Sequence, residues 1–340
     1  MWQTKGQDNA LALIEKGIHT DNLSHAFLFV GPSHVGKTTL ALDLARALNC
    51  SSDESPCGQC PSCLRITDNK HTDISIIALD QSLVKNKNET ASQSEIGIKD
   101  IQELQKRASL PPFEGKHKVF IIKDAENLSI EAANCLLKIL EEPPPKVLII
   151  LMASDDSKLL STVVSRCQRI ELKPLSSSSI EEILIRSFNM EIDRAKLLSR
   201  LSGGCLGYAL ISSTDFIQIE QRSQRLLDLF SLIKVNYNER FLDVSQFDHS
   251  KNNIDQLLKT WLTWWRDIFL IKSDCRQSIT NIDFISEAEE WASAFEMSEL
   301  VNAIQHLHKS LDQLAKNINS RLVMEILMLH MPVMRGKGNK

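Results

Sequence analysis

The stretch AFLFVGPSHVGKTTLALDLARAL, residues 26–48, decides the fold of the amino-terminal part of the chain. Five apolar residues predict a buried strand over 26–30, and the amphipathic pattern after the loop predicts a helix over 37–48. The spacing GPSHVGKT between them fits a phosphate-binding loop, in which glycines let backbone N–H groups face one anion. A glycine turn that merely joins strand to helix is the alternative, but the strand and helix around the loop are the context that the motif requires.

Nine residues form the predicted nucleotide site, and the predicted cofactor is ATP with Mg²⁺. They are Gly31, Pro32, Ser33, His34, Val35, Gly36, Lys37, Thr38 and Thr39. Lys37 would reach the β and γ phosphates, and the Thr38 hydroxyl would bind the magnesium ion. We expect His34 to be an exposed loop residue rather than a catalyst.

Further short apolar runs predict four more strands, at 74–79, 118–122, 147–152 and 169–172. Helical patterns lie between several of them, which favours a parallel sheet covered on both faces and hence an α/β domain. The polar, aperiodic segment 81–97 predicts an exposed loop before a helix that begins at Ile98.

From residue 180 onwards the pattern is helical, with a glycine-containing break over 202–210 and a polar interruption over 236–253. One helix carries Trp261, Trp264, Trp265 and Ile268 at helical spacing. A base-stacking surface needs several basic residues beside its aromatic rings, and Arg266 alone accompanies these tryptophans in the segment 261–270. We therefore expect a packed aromatic core or subunit interface.

Cys50, Cys57, Cys60 and Cys63 lie close together and include two successive CxxC steps. Four thiolates can surround one Zn²⁺ tetrahedrally and leave no open position, so the predicted site is structural. Disulfides are the alternative, which a cytoplasmic chain disfavours. The four remaining cysteines are expected to be small buried residues: Cys135, Cys167, Cys205 and Cys275.

Composition limits the class of protein. The chain has 340 residues, of which 43% are hydrophobic and 24% charged, with a net charge of -4. This balance argues against a protein that coats nucleic acid through bulk positive charge. The amino terminus lacks the apolar core of a signal peptide, and the longest apolar run, residues 147–153, is too short to span a bilayer. We therefore expect a cytoplasmic protein without a membrane partner.

Two later segments, ANCLLKILEEPPP (133–145) and STVVSRCQRIELKPL (161–175), complete a family resemblance. Together with the phosphate loop and the cysteines, they resemble the AAA+ clamp-loader subunits of bacterial DNA polymerase III, over roughly residues 1–215. The resemblance implies an AAA+ nucleotide-binding domain over 1–173, with a zinc module at 50–63. It also implies a helical lid domain over 174–213 and an all-α collar domain over 214–340, the collar by position only.

The resemblance further implies an ATP-driven hetero-pentamer that places the ring-shaped sliding clamp on primed DNA. The partners would be other clamp-loader subunits, of the gamma/tau and delta types. Arg166 in the SRC motif is similar to the arginine finger that reaches a neighbouring subunit's γ phosphate. An ordinary ion pair is the alternative for Arg166. Ser154, after the fourth predicted strand, occupies the place of the family's γ-phosphate sensor.

Two positions depart from the motor subunits of this family. VFIIKDAEN (119–127) has Lys123 and Asp124 where those subunits carry Asp-Glu, and an ammonium there would repel magnesium. If the alignment is shifted by one residue, Asp124 takes the place of the acid that binds magnesium, and no residue is left to orient the attacking water. A catalytic Asp124 would therefore belong to a degenerate site. GCLGYAL (204–210) has Gly207 in the place of a nucleotide-sensing arginine. Both departures indicate the family's non-motor member, which donates a finger and hydrolyses ATP poorly.

Two other functions remain open from the sequence. An ATP-hydrolysing motor subunit would use Asp124 in place of the usual pair, although such chains often extend beyond the collar whereas this one stops at Lys340. A zinc-stabilised nucleic-acid binding module is disfavoured by the acidic balance and by the lack of a basic strip near the cysteines.

Overall fold

The computed structural model describes residues 1–79 and 95–334. Most of the predicted exposed loop, residues 80–94, lies outside the described residues. The chain divides into two compact units. The first comprises Met1–Ser179 with Gly204–Gly207, and the second comprises Ile180–Gly203 with Tyr208–Lys340.

The first unit contains a parallel five-stranded sheet with the order β2-β3-β4-β1-β5. Its strands are β1 Ala26–Val30, β2 Ile74–Ile77, β3 Lys118–Ile122, β4 Val147–Ala153 and β5 Gln168–Glu171. All five predicted strands are present, with small differences at their ends. Strands β1, β3 and β4 are buried along their whole length, because helices cover both faces of the sheet.

Seven helices begin in the described part of residues 1–179. They are α1 Asp8–His19, α2 Lys37–Asn49, α3 Pro61–Thr67, α4 Ile98–Ala108, α5 Ile130–Glu141, α6 Ser161–Val164 and α7 Ser177–Phe188. One apolar core lies between the sheet and α1 to α3, and a second lies on the other face against α4 to α6. The parallel register brings the carboxyl ends of β1, β3 and β4 together, since Val30 pairs with Ala153 and Ile122 pairs with Leu151.

The described residues from 180 to 334 are mainly helical, as predicted. The helices are α8 Ile192–Leu201, α9 Leu206–Thr214, α10 Phe216–Lys234, α11 Tyr237–Ser245, α12 Lys251–Lys272, α13 Ile285–Ala294, α14 Met297–Ala315 and α15 Ser320–His330. Trp261, Trp264 and Trp265 are fully buried in α12. Trp264 and Trp265 also lie against Trp291, with ring centroids 5.4 and 5.5 Å apart, so the expectation of an aromatic core is confirmed.

The polar interruption predicted over 236–253 is wrong in part, because α11 occupies residues 237–245. Asn236 caps the helix by accepting a hydrogen bond from the Glu239 N–H. Arg240 is completely buried, and its guanidinium donates to the carbonyls of Leu232 and Met331, each at 2.8 Å. A charged residue therefore lies inside the core, because backbone oxygens satisfy its N–H groups.

The fold class predicted from the sequence is confirmed: an α/β domain with a parallel sheet and an inserted cysteine cluster, followed by helical domains. The division at residues 173 and 213 stays a prediction. None of the helices in the described ranges combines the length and the apolar character needed to cross a bilayer.

Candidate nucleotide and zinc sites

The phosphate loop lies where β1 meets α2, at the carboxyl edge of the sheet. Gly31 has no room for a side chain, because a Cβ would lie 2.4 Å from the Leu172 carbonyl oxygen. Gly36 has a φ of 114° and forms the amino-terminal cap of α2, a position where no side chain accepts from the helix. The first N–H groups of α2 therefore point into the loop as potential anion ligands, and Thr38 and Thr39 belong to that first turn.

The Lys37 ammonium turns back onto the loop. It donates to the carbonyl of Gly31 and, at 3.0 Å, to that of Pro32. Burial lowers the pKa of Lys37, and the negative charges of Glu126 and Asp124 oppose that shift. The ammonium is thus held within the loop, beside two acids that follow β3.

Lys123 and Asp124 follow the end of β3. The Lys123 N–H donates to the Ile77 carbonyl at 2.8 Å, which extends the ladder one residue beyond the strand. Asp124 is exposed and has a φ of 51°, in the left-handed region. The chain turns at this point into a short 3₁₀ helix, Ala125–Asn127. An ammonium, not a carboxylate, therefore occupies the first polar position after the strand.

Glu126 is a site residue that the sequence reasoning missed. Its Oε1 accepts hydrogen bonds from the Ser154 N–H, at 3.0 Å, and from the Ser154 hydroxyl. Ser154 directly follows β4, and the Gly31 N–H donates to the Ala153 carbonyl at 3.2 Å. The structure thus brings the predicted sensor position, the phosphate loop and an unpredicted acid to one edge of the sheet. An acid two residues after the expected acidic pair is the signal that could have identified it.

Gly207 contacts the phosphate loop directly. Its N–H donates to the His34 carbonyl at 2.9 Å, and a Cβ at this position would lie only 2.7 Å from that oxygen. Any side chain at residue 207 would therefore force the loop or the glycine to move. His34 is exposed, with a φ of 63°. The glycine thus lacks the side chain of a sensing arginine and is also packed too closely to accommodate one in this arrangement.

Arg166 lies just after α6 on the surface of the first unit, with 36% of its side chain exposed. Its guanidinium forms an ion pair with Glu141 at 2.7 Å and donates to the Thr162 carbonyl at 3.0 Å. Both partners are within the chain, so the arginine is held in a defined position at the surface. An exposed ion pair of this kind contributes little to stability, so Arg166 can exchange its partner at small cost.

The four predicted zinc ligands come together. The sulfurs of Cys50, Cys57, Cys60 and Cys63 all lie within 4.8 Å of one another, and those of Cys50 and Cys60 are 4.0 Å apart. A zinc–sulfur bond of about 2.3 Å in a tetrahedron separates the sulfurs by about 3.8 Å, so the cluster fits zinc. All eight cysteines are free thiols. The expectation that the four cysteines outside the cluster are buried is wrong, because Cys275 is exposed and Cys135, Cys167 and Cys205 are partly exposed.

Backbone N–H groups support the same cluster. The Cys60 N–H donates to the Cys57 sulfur at 3.3 Å, and the Cys63 N–H donates to the Cys60 sulfur at 3.4 Å. Burial raises the pKa of the Cys63 thiol to about 12, and a coordinated zinc ion would displace that proton. Cys50 directly follows α2 and Cys63 lies in α3, so a metal here would tie the ends of two helices together.

Comparison with known proteins identifies the family of the chain. The model of the family described as DNA polymerase III, delta subunit, matches residues 6–176. The chain belongs to this family. The resemblance to the clamp-loader AAA+ subunits of DNA polymerase III is thereby confirmed.

The individual relatives are also DNA polymerase III subunits or related to them. The DNA polymerase III subunit delta' of Bacillus subtilis is 26% identical over 95% of this chain and 95% of its own length. The subunit tau of the same organism is 27% identical over 92% of this chain but only 56% of its own length. A solved structure of a DNA polymerase III gamma subunit-related protein from Thermotoga maritima is 17% identical, with a TM-score of 0.47, over 95% of this chain and 99% of its own.

Proposed function

We propose that the chain is the delta prime subunit of the DNA polymerase III clamp loader, a member that supplies Arg166 to a neighbouring ATPase subunit and hydrolyses ATP poorly itself. The observation that carries this proposal is that the chain has an exposed Arg166 but a lysine, Lys123, in place of the first acid after β3. The end-to-end similarity to the delta' subunit of Bacillus subtilis supports it. The location we propose is the cytoplasm.

Poor hydrolysis follows from charge. A magnesium ion bound to ATP needs acidic or neutral oxygen ligands, and a lysine at the first position after β3 presents a positive charge there. Asp124, the next residue, is exposed, and its backbone has left the strand conformation, at a φ of 51°. The chain retains the phosphate loop and Lys37, so we propose that it binds ATP or ADP without efficient turnover.

The position of Arg166 supports the proposed finger role. A guanidinium is always protonated and can contact phosphate oxygens at two points, which suits it to stabilise charge that develops on a transferred phosphoryl group. In the free chain its charge is balanced by Glu141, which is itself half exposed. Assembly would bring the γ phosphate of the neighbour to the arginine in place of this carboxylate.

The carboxyl-terminal helices offer a surface for assembly. Helix α15 buries Val323, Met324, Leu327 and Met328, and a second apolar face of the same helix is exposed. That face consists of Leu322, Ile326 and Leu329, which are 50%, 41% and 53% exposed. The Arg321–Glu325 ion pair lies beside this face on the same helix, and an exposed apolar patch with polar residues at its edge is typical of a protein contact site. We therefore propose that this face contacts another clamp-loader subunit within a hetero-pentamer with gamma/tau and delta, which acts on the sliding clamp and primed DNA.

The motor subunit remains the second candidate function. The match to the Bacillus subtilis tau subunit and the intact phosphate loop favour it. Single-turnover ATP hydrolysis by the purified chain separates the two. Turnover that is abolished by Lys37→Ala would establish a motor, whereas the proposal expects nucleotide binding that Lys37→Ala weakens and no comparable turnover.

A further inference from the structure

Glu126 is fixed in position by the backbone around it. The 3₁₀ turn that carries it closes with a hydrogen bond from the Asn127 N–H to the Asp124 carbonyl, at 2.8 Å. The Asn127 carbonyl then accepts from the Ile96 N–H, also at 2.8 Å, and Ala125 is buried in the core. The carboxylate is therefore held at the carboxyl edge of the sheet by main-chain contacts on both sides of it.

The two oxygens of Glu126 differ in their surroundings. Oε1 accepts both available donors of Ser154, the N–H and the hydroxyl. Oε2 is buried, and no hydrogen-bond donor of the described chain reaches it. A buried carboxylate oxygen without a hydrogen-bond partner destabilises the folded state, and a nearby cation offsets this cost. Glu126 is the strongest of the acids that act on the Lys37 ammonium.

The Glu126 carboxylate accepts hydrogen bonds from Ser154 as the oxygen of a bound phosphate would. A terminal phosphoryl group in a phosphate-loop site takes a hydrogen bond from the loop lysine, and the family resemblance implies a second donor from the polar residue after the adjacent strand. Here the polar residue is Ser154, and its two donors are already taken by a carboxylate. We propose that Glu126 is a specificity-determining residue that occupies the Ser154 donors and so makes this a site for a nucleoside diphosphate rather than a triphosphate.

The selectivity would arise from like charge. The α and β phosphates of ADP lie against the loop and the amino end of α2, which Glu126 does not obstruct. A γ phosphate would have to bring further negative charge up to the Glu126 carboxylate, and without the Ser154 hydrogen bonds that offset such charge elsewhere. The inference rests on the proposed nucleotide binding and adds to it a preference between two nucleotides.

The test is titration calorimetry of the full chain with ADP and with a non-hydrolysable ATP analogue, both with Mg²⁺. The wild-type chain should bind ADP at least about tenfold more tightly than the analogue, the order expected for one like-charge contact near a protein surface. Glu126→Gln keeps the size and the acceptor oxygen but removes the charge, and should reduce this ratio by about tenfold. Glu126→Asp retains the charge and should keep the preference for ADP. Glu131→Gln, which neutralises an exposed acid at the start of α5, is the control and should leave the ratio unchanged.

The possible results distinguish nucleotide binding itself from the preference for ADP. If the wild-type chain binds neither nucleotide, the proposed nucleotide binding fails and the inference fails with it. If ADP binds but the analogue binds equally well, or if Glu126→Gln leaves the ratio unchanged in a folded protein, the inference alone is overturned. Thermal melting of each variant, without nucleotide, establishes that it is folded.

Discussion

Replacing Cys57 by serine tests the cysteine cluster as a zinc site. Its sulfur lies within 4.8 Å of the three other sulfurs and accepts the Cys60 N–H at 3.3 Å. Structural zinc sites contribute about 10–16 kcal/mol of apparent binding free energy at neutral pH. If the four ligands share this equally, the loss of one removes about 2.5–4 kcal/mol, or roughly 100- to 1000-fold in zinc affinity.

The assay is zinc content after purification under reducing conditions, followed by competition against a chelator of known affinity. The wild-type chain should carry one zinc ion per molecule, and Cys57→Ser should lose it to the chelator at a far lower chelator concentration. Cys275→Ser is the matched control, because Cys275 is exposed and distant in sequence from the cluster. Wild-type protein that contains no zinc, and whose melting temperature Cys57→Ser does not change, would refute the reasoning.

Two further predictions concern assembly and stability. Ile326→Asp places a charge in the exposed apolar face of α15 and should weaken association with the other clamp-loader subunits at least about tenfold, as judged by gel filtration of the mixture. Leu227→Asp, at a comparably exposed site on α10, should assemble normally, and equal behaviour of the two variants would argue against the face as an interface. Asp73→Asn should lower the free energy of unfolding by about 1–3 kcal/mol at pH 7, because the buried carboxylate accepts the N–H groups of Phe113, Glu114 and Gly115 at 2.8–2.9 Å. Burial alone would raise the pKa of Asp73, but these donors outweigh it and lower the pKa below the ordinary value of an aspartate. The contribution to stability is therefore present above that ordinary value and is lost as the pH falls through the folded pKa. Urea unfolding at pH 7 and pH 3 should therefore show a smaller difference between wild type and variant at the lower pH, and a difference that grows on acidification would contradict this account.

The local motifs could be predicted because their chemistry depends on sequence spacing. The phosphate loop and the cysteine cluster each lie within a short stretch, and the structure brings their residues together as the spacing requires. The aromatic core of α12 was predictable for a related reason, since helical periodicity places Trp261, Trp264 and Trp265 on one buried side.

Other features depend on contacts between distant parts of the chain. The role of Glu126 became visible only because a 3₁₀ turn places it against Ser154, 28 residues later in the sequence. Helix α11 could not be predicted, because an arginine such as Arg240 indicates an exposed segment. Its burial depends on carbonyls that are distant in sequence, including that of Pro332. The close approach of Gly207 to His34 likewise joins residues far apart in sequence. Polarity in the sequence indicates exposure only where the fold provides no buried partner.

The most direct test of the proposed function is the ATPase activity of a reconstituted clamp loader that contains Arg166→Ala in this chain. Loss of an arginine finger reduces turnover at the affected site by about 10³-fold or more in related phosphoryl-transfer sites. We expect Arg166→Ala to abolish much of the DNA- and clamp-stimulated ATPase while the complex still assembles. Arg169→Ala is the matched control, because Arg169 is 43% exposed and pairs with Asp156 and Glu171 within the chain. An assembled complex whose ATPase is the same with Arg166→Ala as with the wild-type chain would contradict the account.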